Sequence, residues 1–262
     1  MDGVSVRRHV LGHGRVAEIV LERPEALNAL NTAMAVRLAQ VCADLGPDRG
    51  VCAVVLTATG DRAFSVGADL KERNAMSDAQ LLAQRPVFRA AFAGLLALPQ
   101  PVIAAVHGWA LGGGCELALS CDLIVADATA VFGLPETSVG LVPGGGGTQL
   151  AARRLGLGRA NDLVLTGRQV HATEAERIGL ADRLVAAGTA DQEALQMGGA
   201  IACNSSVAVM AAKKAIRQGW GVGLAAGLEI EDAAWHATAF SADRREGIEA
   251  FNQKRAPQWP GA

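Results

Sequence analysis

Gly108-Trp109-Ala110-Leu111-Gly112-Gly113-Gly114-Cys115-Glu116-Leu117-Ala118-Leu119-Ser120 decides how the rest of this 262-residue chain is read. The apolar run Val102 to Val106 comes before it and reads as a buried strand, and Gly112 to Ser120 reads as a helix opened by glycines. Clustered glycine brings backbone close to something, because no Cβ stands in the way. If Gly113 starts the helix, its N–H is one of the unpaired donors at the helix's positive end. Glu116 follows directly after Gly-Gly-Gly-Cys in an otherwise apolar helix, so it faces no obvious solvated side.

Upstream, Phe64-Ser65-Val66-Gly67-Ala68-Asp69-Leu70 also follows a strand and also puts small residues where backbone N–H groups can face a ligand. Two such turns can aim two N–H groups at one oxygen and stabilise an oxyanion. The bland alternative for a triple glycine is close helix–strand packing. Downstream, Leu134-Pro135-Glu136 precedes Val142-Pro143-Gly144-Gly145-Gly146-Gly147-Thr148-Gln149, which adds a second carboxylate beside a second turn of exposed backbone. Two carboxylates near one anion hole make an acid/base pair. No Gly-Lys-Ser/Thr follows either cluster, which excludes a Walker-type loop, and the spacing from Gly108 to Gly114 is wrong for a dinucleotide fingerprint.

Half the residues are apolar, yet the apolar runs are broken by Gly, Pro or charge and none approaches the roughly 20 residues of a spanning helix. No membrane segment is expected. The start, Met1 to Arg8, lacks the apolar stretch of a secretory leader, so the cytoplasm is the expected location. Five cysteines and five histidines are scattered without metal-ligand or disulfide spacing, so reduced thiols and no metal are expected. Cys115 has no histidine placed as its base and is read as small buried packing. A net charge of -2 with interspersed signs offers no basic face for nucleic acid.

Working outward, Val4 to Val10 and Val16 to Leu21 read as a hairpin, Asn31 to Leu45 as a helix capped by Asn31 or Thr32, and Cys52 to Ala58 as a buried strand. Asp78 to Leu98 reads as a long helix that Pro86 kinks or splits. Leu123 to Ala126 and Val131-Phe132 are short strands. From about Gly147 the pattern turns almost wholly helical, through Thr148–Leu155, Ala160–Leu165, Ala172–Ile178, Asp191–Asn204, Val207–Gln218, Leu224–Thr238 and Asp243–Lys254. The chain is therefore an α/β core, 1-200, followed by a helical region, 201-262, that must pack on the core or on a neighbouring subunit.

In order and spacing, Phe64 to Leu70, Gly108 to Ala126, Phe132 to Gln149 and Ser241 to Lys254 resemble the enoyl-CoA hydratase/isomerase (crotonase) family. Arg23-Pro24-Glu25-Ala26-Leu27-Asn28-Ala29-Leu30 resembles that family's amino-terminal signature, so the likeness covers nearly the whole chain. Gly67 to Arg73 and Gly144 to Gly147 look most like its methylglutaconyl-CoA hydratase branch, some members of which also bind RNA. The resemblance implies a crotonase-like (ClpP/crotonase) spiral of ββα turns with a C-terminal helical trimerisation region, assembled as a homotrimer or a homohexamer built as a dimer of trimers.

It also implies hydration of a 2-enoyl-CoA to a 3-hydroxyacyl-CoA, with coenzyme A arriving as part of the substrate and no separate cofactor. By match of motif, the N–H groups of Ala68 and Gly113 form the oxyanion hole. Glu116 takes a proton from water and Glu136 delivers one to the α-carbon, or the reverse. Substrate and coenzyme A contacts are expected at Ala26, Val66, Ala68, Asp69, Leu70, Lys71, Gly113, Pro135 and Gly144, and at Phe240 and Lys254, which could serve an adjacent subunit. Val66 stands where the family commonly has alanine, and Leu150 where arginine is frequent; a backbone contact tolerates the first, while the second bears on subunit contacts.

Two other readings stand beside hydration. A Δ3,Δ2-enoyl-CoA isomerase would use Glu136 alone. An RNA-binding or purely structural role would need more than the isolated pairs Lys213-Lys214 and Arg153-Arg154. Acyl length and branching are not legible, because the pocket wall is expected from Glu72 to Leu98.

Overall fold

A computed structural model describes residues 3–262, so Met1 and Asp2, the first residues of the expected core, lie outside the described residues. Strands β1 (Val4–Leu11) and β2 (Gly14–Leu21) form the expected antiparallel hairpin. Helix α1 (Thr32–Leu45) starts where Asn31 Oδ1 accepts from Met34 N–H at 2.9 Å, satisfying one of the orphan donors of the first turn. Its buried face, Met34, Ala35, Leu38, Val41, Cys42 and Leu45, recurs at helical spacing.

Strand β3 (Val51–Ala58) follows, then β4 (Ala63–Ser65), the short α2 (Leu70–Asn74) and α3 (Asp78–Ala97). The latter is a single helix running through Pro86, opened by a capping box between Ser77 and Gln80. The next turn of the spiral is β5 (Val102–Val106), β6 (Trp109–Leu111) and α4 (Gly113–Ser120), and the one after is β7 (Leu123–Asp127) and β8 (Val131–Gly133). Helices α5 (Gly147–Leu155) and α6 (Leu157–Thr166), strand β9 (Gln169–His171), α7 (Ala172–Ile178), β10 (Arg183–Val185), α8 (Ala190–Ala202), α9 (Ser206–Gly219), α10 (Leu224–Ala239) and α11 (Ala242–Gln253) complete the chain.

Two sheets result, a six-stranded one in the order β1-β2-β3-β5-β7-β10 and a four-stranded one in the order β4-β6-β8-β9. The first strand of each ββ pair enters the large sheet and the second enters the small one, so β3/β4, β5/β6 and β7/β8 climb in parallel steps. The central strands are apolar almost without interruption because both faces of the sheet are covered. Val54 and Leu56 of β3 join the core with α1, α3 and α4, whereas Ala53 and Val55 face the second core under α8. The expected, almost wholly helical stretch after Gly147 is corrected by β9 and β10, which close one edge of each sheet. No single helix among the described residues is long and apolar enough to cross a membrane.

Candidate active site

The site forms where the small sheet hands the chain to its helices. β4 is followed by Val66-Gly67-Ala68, and β6 by Gly112-Gly113. Gly67 has φ +87 and Gly112 φ +52, regions that L side chains rarely enter. A Cβ placed on Gly67 would sit 2.6 Å from Gly113 N, and one placed on Gly113 would sit 3.6 Å from Ala68 N. The two turns therefore touch backbone to backbone, with Ala68 N and Gly113 N as near neighbours. Leu30 N–H donates to Gly67 O at 2.7 Å and Asp69 N–H to Leu30 O at 2.8 Å, which leaves the N–H of Ala68 between them without a protein acceptor among the described residues. The N–H of Gly113, in the first turn of α4, is likewise unpaired there. The packing reading of the triple glycine holds at Gly114, where a Cβ would meet Ser65 O at 1.9 Å.

Glu116 lies one turn into α4 and is 3% exposed. Its Oε1 accepts from the N–H of Gly145 and of Gly147, each at 2.7 Å. This is what the second glycine cluster does: it turns backbone donors onto a buried carboxylate. Burial pushes the Glu116 carboxyl above the usual carboxylate range, opposed by the N–H groups of Gly147 and Gly145, the charge of Arg85 and the N–H of Gly144.

Glu136 reaches the same place from β8. Gly112 N–H donates to Gly133 O at 2.9 Å, and the 3₁₀ turn Pro135–Val139 carries Glu136 back over that junction. A Cβ on Gly112 would lie 3.1 Å from Glu136 Oε1, and the other carboxyl oxygen, Oε2, is buried without a hydrogen-bond partner among the described residues. Burial pushes this carboxyl up to about 7, countered by its own backbone N–H and reinforced by the negative charge of Glu116. Glu116, with Oε1 held by two amide donors, thus lies near Glu136, whose Oε2 has no hydrogen-bond partner among the described residues, so the two carboxyls have unlike environments.

Two arginines that the motifs did not flag close the far side. Arg73 of α2 donates from Nε to Gln84 Oε1 at 3.1 Å and lies 4.8 Å from the centroid of the Phe88 ring. Arg85 of α3 is exposed, and a Cβ on Gly144 would lie 2.8 Å from its Nη1. Neither forms an ion pair among the described residues. In sequence, both fall only within the Glu72 to Leu98 stretch expected to wall the pocket, and Arg73 also ends the Gly67 to Arg73 match; neither was singled out.

The remaining expected contacts separate into two groups. Val66 is half-buried and donates its N–H to Leu27 O at 3.2 Å, which places Ala26 and Leu27 beside the Gly67 turn. Asp69 caps α2 by accepting from Lys71 N and Glu72 N and pairs with Arg23 at 3.2 Å. Burial pulls its carboxyl up, but these N–H groups and the guanidinium hold it below the usual range. Leu70 and Lys71 are exposed, while Pro135 and Gly144 are half-buried beside the two glutamates. Phe240 lines a cavity of about 460 Å³ among the last helices, and Lys254 caps α11 in a left-handed conformation, both apart from the glutamate pair.

The family model for enoyl-CoA hydratase/isomerase matches residues 12–262. The chain belongs to the enoyl-CoA hydratase/isomerase family. A Bacillus subtilis (strain 168) relative that carries an enoyl-CoA hydratase/isomerase name is 44% identical over 246 residues, 94% of this chain and 95% of the relative. Among solved structures, an enoyl-CoA hydratase from Bacillus anthracis superposes with a TM-score of 0.95 at 38% identity, covering 99% of this chain and 100% of the other. An enoyl-CoA hydratase from Mycobacterium tuberculosis H37Rv gives 0.89 at 34%, with both chains fully covered at 100%. The ββα spiral described above is therefore this family's fold, and the chain is an enzyme of the hydratase/isomerase class.

Proposed function

We propose that this protein hydrates a 2-enoyl-CoA to a 3-hydroxyacyl-CoA, with Glu116 and Glu136 as its acid/base pair. The observation that carries this reading is the pairing of the buried Glu116 carboxyl with the half-buried Glu136 carboxyl in opposed environments across one glycine junction. The substrate's thioester oxygen would lie between the N–H groups of Ala68 and Gly113. As water attacks the β-carbon, the π electrons move to that oxygen, and Glu116 takes the proton that water gives up. The enolate-like oxygen is held by donors already in place, so little reorganisation is needed. Glu136 then passes its proton to the α-carbon, and the carbonyl re-forms. No cofactor enters this scheme; coenzyme A is the carrier of the acyl group.

Contacts at Ala26, Val66, Leu70, Lys71, Pro135 and Gly144 would guide the thioester and its pantetheine arm. Phe240 and Lys254 would act on coenzyme A from an adjacent subunit of a homotrimer or homohexamer, and the cytoplasm is the proposed location.

The test is hydration of crotonyl-CoA, with a 3-enoyl-CoA assayed in parallel. Glu116→Gln and Glu136→Gln should each lower kcat on the order of 10²- to 10⁴-fold while the far-ultraviolet dichroism stays unchanged. Isomerisation that survives Glu116→Gln, with no hydration in the parent, would replace this reading by the isomerase one. The rate should also fall as the pH rises through about 7, because Glu136 then gives up the proton it must deliver.

A further inference from the structure

The surroundings of Glu116 contain more positive charge than the scheme above uses. Facing it are the N–H groups of Gly144, Gly145 and Gly147 from the loop before α5, Arg85 from α3, Arg73 from α2, Glu136 from the 3₁₀ turn after β8, and its own neighbour Cys115. Arg73 is held by Gln84 at Nε and by the Phe88 ring, whose centroid lies 4.8 Å from its guanidinium carbon. Gln84 is in turn buried and donates to Thr32 Oγ1 at 2.8 Å and to Glu72 Oε2 at 3.0 Å. Glu72 is committed elsewhere as well, accepting from Thr32 N at 3.0 Å. This scaffold keeps a second cation beside Arg85, although like charges repel.

Arg85 itself lies against Gly144, in the loop whose N–H groups hold Glu116, and the next residue, Gly145, packs on the Phe92 ring. Residues 85, 88 and 92 follow helical spacing, so one face of α3 supports that loop. The placement favours Glu116: Arg85 lies against the loop that donates to Glu116, whereas Glu136 is raised by burial and by the charge of Glu116 and lowered by its own N–H.

We propose that Arg85, braced by Arg73, is a positioning residue that acts through Glu116, keeping it ionised and holding the Gly144–Gly147 loop, so that Glu116 and not Glu136 takes the proton from water. This rests on the hydratase reading for its kinetic expression, although the charge effect on Glu116 does not. Arg85→Gln should lose activity mainly on the acid side. The ratio of kcat/KM at pH 8 to that at pH 5.5 should widen about threefold or more, consistent with an opposite charge weakened by partial exposure. Arg85→Lys should restore most of the acid-side rate, and KM for crotonyl-CoA should stay within about twofold.

A direct titration separates the two claims. In protein carrying 13C-labelled glutamate, with the Glu116 signal assigned by Glu116→Gln, Arg85→Gln should move the Glu116 titration to higher pH whether or not the enzyme hydrates anything. An unmoved Glu116 signal overturns the proposal. So does an Arg85→Lys variant that behaves like Arg85→Gln, or a loss confined to the KM of acyl groups bearing a carboxylate, which would make the arginines substrate contacts.

Discussion

Glu136 carries a cost that can be measured without substrate. Its unfolded carboxyl has the ordinary value of 4.5, while burial and the nearby Glu116 raise it to about 7 in the fold. The folded state therefore holds this proton more tightly, and stability falls as the pH rises from about 4.5 to about 7, after which the loss is complete. Glu136→Gln removes the ionisation. At pH 8 it should gain on the order of 1–2 kcal/mol over the parent, after allowance for partial exposure, and the gain should vanish near pH 4.5. Urea melts at fixed protein concentration decide this, and a variant no more stable at pH 8 would show that the site is better solvated than its orphaned oxygen implies. Gly114 makes the opposite case. Its missing Cβ would overlap Ser65 O, so Gly114→Ala should cost at least about 1–3 kcal/mol. Gly158, with open space around it in α6, should tolerate alanine or gain a few tenths of a kcal/mol. Gly114, Glu116 and Glu136 were legible in sequence because their chemistry is local: a glycine run, an acid directly after it, and an acid after Leu-Pro. Arg85 was not, since its importance arises from α3 lying across a loop about sixty residues away in sequence.

Among the elements, the long ones announced themselves, as did the short β7, β8 and α7, while several other short ones did not. α1, α3 and the central strands carry enough residues for a period of 3.6 or a continuous apolar run to stand out. β4, β6, β9 and β10 have three residues each and α2 has five, too few for any period to emerge. They exist because neighbours demand them. β9 pairs with β8, placing Val170 opposite Phe132 in the core, and β10 extends β7 with Leu184 opposite Ala126. The helix read over Asp78 to Leu98 is present and Pro86 does not split it, because Phe88, Ala91, Phe92 and Leu95 beyond the proline are buried on one side. The missing N–H still leaves one carbonyl of the preceding turn unserved. Pro86→Ala should therefore stabilise the protein by about 1–3 kcal/mol in urea melts. A destabilised variant would mean that the proline's fixed φ is needed to seat Arg85 and Phe92 against the Gly144–Gly145 turn.

At the scale of the whole molecule, the last three helices pose a question that one chain does not answer. Lys213 and Arg217 of α9 bind Asp122 at 2.7 and 2.8 Å, and Lys213 also donates to Gln100 O, so α9 is tied to the core by charge. Buried Asp243 accepts from Ser205, Gly261 and Ala262, closing the chain end onto the start of α9. These contacts are polar and few, whereas the apolar side chains of the same helices point outward: Ile216 is 72% exposed, Leu224 80%, Trp235 61% and Phe240 78%. Between α9 and α10 lies an apolar cavity of about 580 Å³. Contiguous exposed apolar surface of this kind calls for a partner surface. The proposed trimer supplies one, because helices carried by each copy can cover those of the next. Light scattering should then give a mass near three or six times 26.9 kDa. Trp235→Glu with Ile216→Glu should shift the protein toward monomer, since charged side chains would enter a buried apolar contact. If Phe240 and Lys254 serve a neighbour's coenzyme A, the same double variant should raise KM for crotonyl-CoA far more than it lowers kcat. A monomeric parent with full activity would detach the helical region from both roles.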